Sequence, residues 1–324
     1  MTTDGAPAPR GHARWRILRW SVRVGGLVVL AFLLQRATGG LAKSARLLQD
    51  ADGALFGAAW AIYLAGLLLS AVRLRGLVRA AGHAGAVWPL FADVLRATAL
   101  NALITVGSGE VYRIARLREG GLDTGSASAL VLVDRVTGLA VVATAGLVGL
   151  SVFGAEQTGW SLPGPLLAGL AAVVGGATWW IGRVTVARYA PAALPFFSRP
   201  RVAATALALS VGMLLTWVLS VALLARALGL DVDPRAIAFA APVVAVATLL
   251  PVSVGGIGVR EAGYAVLLAP YGVMPEQAVA LGLLQYLGYL VVAGIGGVLL
   301  AAGRGPLRLG GRAGRVADEL GVDA

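Results

Sequence analysis

Gly255-Gly256-Ile257-Gly258-Val259-Arg260-Glu261 sets three glycines, a guanidinium and a carboxylate inside a long apolar stretch. A second stretch, Gly107-Ser108-Gly109-Glu110-Val111-Tyr112-Arg113, repeats the conflict earlier in the chain. Irregular backbone and ionisable side chains at membrane depth survive only where protein or a wet cavity surrounds them. The two stretches therefore decide the fold: helices that span a membrane, interrupted twice around a pathway or a binding site.

Composition supports this reading. The 324 residues are 58% hydrophobic and only 13% charged, and the mean hydropathy is +0.81, outside the range of soluble domains. The excess of 27 basic over 16 acidic residues does not indicate nucleic acid, because no soluble segment is long enough to present a basic face. Arginine instead collects in loops that face the cytoplasm and anionic headgroups. Cysteine is absent and the histidines are His12 and His83 alone, which removes disulfides, thiolate nucleophiles and imidazole metal sites. No cofactor is expected.

Residues 1–19 read as a disordered cytoplasmic basic arm, with Arg10, Arg14, Arg16 and Arg19 leading to Arg23. The apolar run that follows resembles a signal peptide, but in a multi-span chain it reads as a first helix whose basic end stays inside. Full crossings are expected at about 20–38, 54–72, 129–152, 162–182, 203–224 and 278–302, each near the roughly 20 residues a span requires. With the N-terminus inside, inner loops collect Arg73, Arg75 and Arg79, then Arg113, Arg116 and Arg118, then Arg183 to Arg201, then Arg304 to Arg315. Outer loops hold only Arg36, Lys43, Arg46, Arg226 and Arg235, while Arg96, Arg135 and Arg260 fall within apolar segments. This asymmetry places both termini in the cytoplasm.

Segments 88–107 and 236–270 then enter and leave on one side, as re-entrant hairpins. The expected fold is an all-α polytopic membrane protein with about six crossings and two re-entrant helical hairpins. Its halves, 20–152 and 162–302, form an inverted repeat, followed by a cytoplasmic tail at 303–324.

Thr98, Asn101 and Thr105 share one helical face and lead into the first glycine break. The threonines are best explained by bonds to their own backbone, whereas the Asn101 amide must find partners in an apolar medium. Glu110 and Arg113 are three apart and close enough to pair on a helix. Asp134 and Arg135 enter the segment 129–152, where Arg135 can balance Glu110 or Glu261 or snorkel to the interface. In the second hairpin Pro251 removes a donor, and Gly255, Gly256 and Gly258 permit unusual dihedrals. A helix starting there aims its positive end at an anion beside Arg260 and Glu261. Gln285 and Tyr289, four apart, form a polar stripe. Trp60, Trp160, Trp179 and Trp180 read as interfacial anchors, and the glycines of 138–146 and 288–297 as close-packing surfaces.

The string Pro251 to Glu261, with Asn101 to Glu110 and Asp134-Arg135, resembles the lysylphosphatidylglycerol synthase transmembrane family, also called flippase-like, over about residues 20–302. Family members carry Pro and Arg between the asparagine and Gly-Glu where this chain has Thr105, Val106 and Ser108, and Glu where it has Asp134. The resemblance implies a multi-pass protein of the bacterial inner membrane that moves lipids or lipid-linked intermediates between leaflets. The implied partners are the membrane and a phospholipid or polyprenyl-linked headgroup, with a homo-oligomer or a lipid-modifying enzyme as further company. The multiple peptide resistance factors fuse this region to an aminoacyltransferase; only Arg304 to Ala324 follow here, so synthase activity is not expected. A secondary transporter of a small anionic solute and a non-transporting scaffold for a glycosyltransferase or lipid-modifying enzyme are the alternatives. An embedded enzyme ranks last because the usual catalytic sets are missing.

The cysteine-free chain allows a direct test of orientation. A single cysteine at Arg46→Cys should react with a membrane-impermeant maleimide on intact cells, and His12→Cys or Arg308→Cys only after permeabilisation.

Overall fold

The computed structural model describes residues 41–104, 107–152, 200–248 and 256–303, with isolated positions between 169 and 188. Helices make up almost all of these residues: α1 Leu41–Gln49, α2 Gly53–Ala80, α3 Val87–Leu103, α4 Ser108–Glu119, α5 Thr124–Val152, α6 Pro200–Ala227, α7 Pro234–Thr248, α8 Val259–Leu268 and α9 Pro275–Ala301. Four are long and apolar enough to cross a membrane, namely α2, α5, α6 and α9. They coincide with four of the expected crossings. The crossings expected at 20–38 and 162–182 lie outside the described residues, as do Trp160, Trp179, Trp180, Pro251 and Gly255.

Local chemistry explains where the helices begin. The Asp52 carboxylate caps α2, accepting from the amides of Ala54 at 2.8 Å and Leu55 at 3.1 Å, and Asp233 does the same for Arg235 at the start of α7. Asp123 accepts from the Ser126 amide at 3.0 Å at the head of α5, and these bonds from Ser126 hold its carboxyl below the usual carboxylate range. Pro234 and Pro275 occupy first helical positions, where the missing N–H is no loss. Gly107 and Gly258, the caps of α4 and α8, stand at φ 101° and 84°, which a side chain adopts only with strain.

The two glycine breaks divide each apolar segment as expected, α3 from α4 and α7 from α8. At 17 and 15 residues, α3 and α7 extend about 25 Å and 22 Å, short of a hydrocarbon core of about 30 Å.

Packing follows a matched scheme. α2 lies along α6; α3 packs on α9 as α7 packs on α5; α4 packs on α5 as α8 packs on α9. Glycine makes these approaches possible. Gly149 of α5 faces Phe239 of α7, and in the matching place Gly296 of α9 faces the Leu95 backbone of α3. Gly109 of α4 meets the Ala97 carbonyl of α3, and Gly263 of α8 meets Val244 of α7. Two buried apolar clusters result, one among α2, α3, α6, α7, α8 and α9 and one among α2, α3, α4, α5 and α6.

Three expectations need correction. Arg73, Arg75 and Arg79 belong to α2 rather than to a loop, and Arg113, Arg116 and Arg118 belong to α4. Arg73, Arg113 and Arg116 are buried, because carboxylates on neighbouring helices balance them. Trp60 is not an interfacial anchor: its indole is buried against Gly288 and packs edge-on to Tyr63, with centroids 5.0 Å apart.

Gly288→Val should drive a side chain into the Trp60 indole and cost about 1–3 kcal/mol. Gly294→Ala, which meets open space, should not destabilise. Thermal unfolding in detergent would separate the two; equal melting temperatures would contradict this packing.

Candidate functional site

Three polar assemblies interrupt the apolar interior. In the first, Asp134 of α5 is 1% exposed and accepts from Arg73 Nε and from Arg113 Nη2, each at 2.8 Å. Arg73 also donates to Ser210 Oγ at 2.6 Å, and Ser210 donates to the Ala206 carbonyl. One carboxylate thereby ties α2, α4, α5 and α6 together. Both of its oxygens are engaged in that task. Gly138, one turn on, leaves room for the Arg73 guanidinium.

The second assembly surrounds Asp93 of α3. It accepts from Arg96 at 3.0 Å, Arg116 at 3.1 Å and the Tyr112 hydroxyl at 2.9 Å. Arg96 reaches on to the carbonyls of Leu299 and Gly303 at 3.2 and 3.1 Å, where the negative end of α9 favours a cation. Asp93 was not among the sequence candidates. Its signal was available three residues before Arg96, at a spacing that brings both to one helix face.

Glu110 and Arg113 do not pair with each other, contrary to the spacing argument. Arg113 turns to Asp134, and Glu110 pairs with the half-exposed Arg135. Asn101 uses its carbonyl to accept from the amides of Gly107 at 3.1 Å and Gly109 at 2.8 Å, so it holds the first glycine turn closed. Thr98 bonds back to the Val94 carbonyl at 2.9 Å, as the simpler reading of the threonines expects. Thr105 lies outside the described residues.

The third assembly is a cavity of about 100 Å³ bounded by α2, α6, α7, α8 and α9. Its wall carries Trp60 and Tyr63 from α2, Trp217 and Ser220 from α6, Thr248 from α7, Arg260 from α8, and Gln285 and Tyr289 from α9. Gln285 is held from behind by the Tyr264 hydroxyl at 3.1 Å. Gly256, at φ 78°, lets the chain pass close to Thr248 and the Arg260 guanidinium. Arg260 lies over the Tyr286 ring, 5.7 Å from its centroid. Its Nη1 is buried with no hydrogen-bond partner, as is Trp60 Nε1. Two donors on residues of the cavity wall are thus left without an acceptor from the protein, the Trp60 one pressed against Gly288, which is costly unless a ligand or water reaches them.

Beside the cavity, Glu261 is 2% exposed. Its Oε2 accepts from the Gly258 amide and its Oε1 is unpartnered. Arg260 and Glu261, adjacent in sequence, form no ion pair among the described residues.

The structure therefore gathers Gly256, Arg260, Glu261 and Gln285 at or beside one cavity, and assigns Asn101, Glu110, Arg113 and Asp134 to a framework around the first break; Arg135, paired with Glu110, also lies within electrostatic reach of Tyr63 and Tyr289 on the cavity wall. The aromatic wall of Trp60, Tyr63 and Trp217 was missed, since bulky rings in apolar helices carry no sequence mark of facing a cavity. The family model described as Lysylphosphatidylglycerol synthase TM region matches residues 20–297, most of the chain. No curated protein and no solved structure matches it.

Removing Asp134 by Asp134→Ala leaves two buried guanidiniums uncompensated and should cost about 3–5 kcal/mol. Arg135→Gln, at a half-exposed pair, should cost no more than about 1 kcal/mol. Denaturant titration of the purified protein in micelles would check both.

Proposed function

The chain belongs to the lysylphosphatidylglycerol synthase transmembrane family, and we propose that it moves a lipid or a lipid-linked intermediate between membrane leaflets by way of the cavity at Arg260. Family membership supports a membrane protein of the lipid-related, flippase-like group. The observation that carries the finer reading is Arg260, a partly buried residue on the cavity wall whose Nη1 is buried and unpartnered. A planar guanidinium in that state suits a phosphate oxyanion, the group common to phospholipid and polyprenyl-linked headgroups.

In this proposal α3–α4 and α7–α8 are re-entrant hairpins inserted from opposite faces, and the halves form an inverted repeat. The shortness of α3 and α7 and the matched packing of the two halves support it. Rocking of one half against the other then carries the headgroup past Arg260 while the acyl chains stay in hydrocarbon. In this proposal the protein sits in the inner membrane with both termini cytoplasmic, which the arginines at 10–23, 183–201 and 304–315 support.

A cavity of about 100 Å³ holds part of a headgroup rather than a whole lipid. The same dimension favours, as the second reading, a small anionic solute.

Proteoliposomes carrying fluorescent phospholipids should show leaflet exchange with the wild-type protein. Arg260→Ala should reduce that exchange by about tenfold or more, and Arg260→Lys less severely, on the scale of a lost charged hydrogen bond. Exchange unchanged in Arg260→Ala would contradict the role assigned to Arg260. Uptake of inorganic phosphate without lipid exchange would decide for the second reading.

A further inference from the structure

The two glycine-capped helices are built alike at their first turn, yet differ in one respect. Gly107 and Gly258 each cap with positive φ, and Glu110 and Glu261 each stand three residues later. Glu110 has a cation, Arg135 of α5. In the matched packing, α9 meets α8 as α5 meets α4, and what α9 sets against Glu261 is Gly282: a Cβ built there would lie 2.9 Å from Glu261 Cγ and 3.1 Å from Oε1. The space that one half gives to a guanidinium is closed in the other by bare backbone.

Glu261 is consequently a carboxyl group 2% exposed, fixed through Oε2 by the Gly258 amide, with Oε1 lacking any partner. The groups that face it are few. Arg260 and Tyr264 share its helix, and Tyr264 spends its hydroxyl on Gln285. From α9 comes Gly282; from α7, whose one ionisable residue is Arg235 at the exposed far end, comes no charge. A buried carboxylate with a bare oxygen is expensive, whereas the neutral acid needs much less solvation. A proton is also small enough for a space that Gly282 closes to anything larger.

We propose that Glu261 Oε1 is a proton-binding site, and that loading it raises the affinity of the neighbouring Arg260 cavity for an anionic phosphate. The step is a simple one: a proton from water adds to Oε1 and forms its O–H bond, the side chain passes from charge −1 to 0, and no other bond changes. Arg260 then faces the cavity without a compensating charge nearby, so the pair goes from net zero to net +1. Departure of the proton restores neutrality and lowers the hold on the anion. Because linkage is reciprocal, bound phosphate must tighten proton binding by the same factor. The proton and the phosphate group are thus linked ligands of one site. This rests on the proposed role of the Arg260 cavity, but proton binding itself does not require transport.

Two measurements keep these claims apart. The first is infrared difference spectroscopy of the full-length protein in lipid, titrated with acid. Wild type should show the carbonyl stretch of a neutral carboxylic acid, absent in Glu261→Gln and retained in Glu110→Gln. Adding a short-chain phosphatidylglycerol should shift the titration to higher pH, corresponding to about fivefold or more tighter proton binding. The same shift with inorganic phosphate would identify the phosphate group, rather than the lipid, as the linked ligand. A spectrum unaltered by Glu261→Gln would overturn the proton site, and a titration indifferent to both phosphates would overturn the linkage. The second is leaflet exchange in proteoliposomes against pH, which should vary in wild type and be flat in Glu261→Gln. A carboxyl band without any lipid exchange would sustain the proton site while rejecting the lipid-moving role.

Discussion

A helix that begins at a break in an apolar segment exposes amide donors that need acceptors, and the rest of this structure depends on how those donors are met. At the first break the Asn101 side chain accepts from Gly107 and Gly109. At the second, the Glu261 carboxylate accepts from Gly258. An amide side chain closes one turn and a carboxylate the other. At the first break the carboxylate three residues after the glycine, Glu110, is left to pair with Arg135, whereas at the second Glu261 itself holds the turn.

The ionic framework has a corresponding division of labour. Asp93 and Asp134 each gather at least two guanidiniums and knit helices distant in sequence, with every oxygen engaged. Such buried groups add little net stability over an apolar core, but losing one member leaves stranded charge. Arg260 stands apart. It leans on Tyr286, keeps an unpartnered Nη1 and lines a cavity where helices of both halves meet.

Much of this was legible in the chain. Hydrophobic run length located the four described helices of membrane-spanning length, and the glycines located both breaks, because only glycine takes φ near 84–101° without strain. Arg260, Glu261 and Gln285 were legible as polar residues with no reason to be in an apolar stretch. What escaped was three-dimensional choice. Spacing joined Glu110 to Arg113, but the neighbouring helix α5 offered each a better partner in Arg135 and Asp134. Arg73 counted as a loop residue until its helix proved to run on to Ala80. Trp60 read as an anchor because sequence cannot show that Gly288, on another helix, opens the space its ring occupies.

The most direct test of the central claim is a density map of the protein in a native lipid environment without detergent. The account predicts phosphate density within hydrogen-bond distance of the Arg260 guanidinium, on the side of Trp60 and Gln285. A cavity holding only water, with Arg260 turned out to the aqueous phase and lipid headgroups confined to the membrane surface, would contradict it.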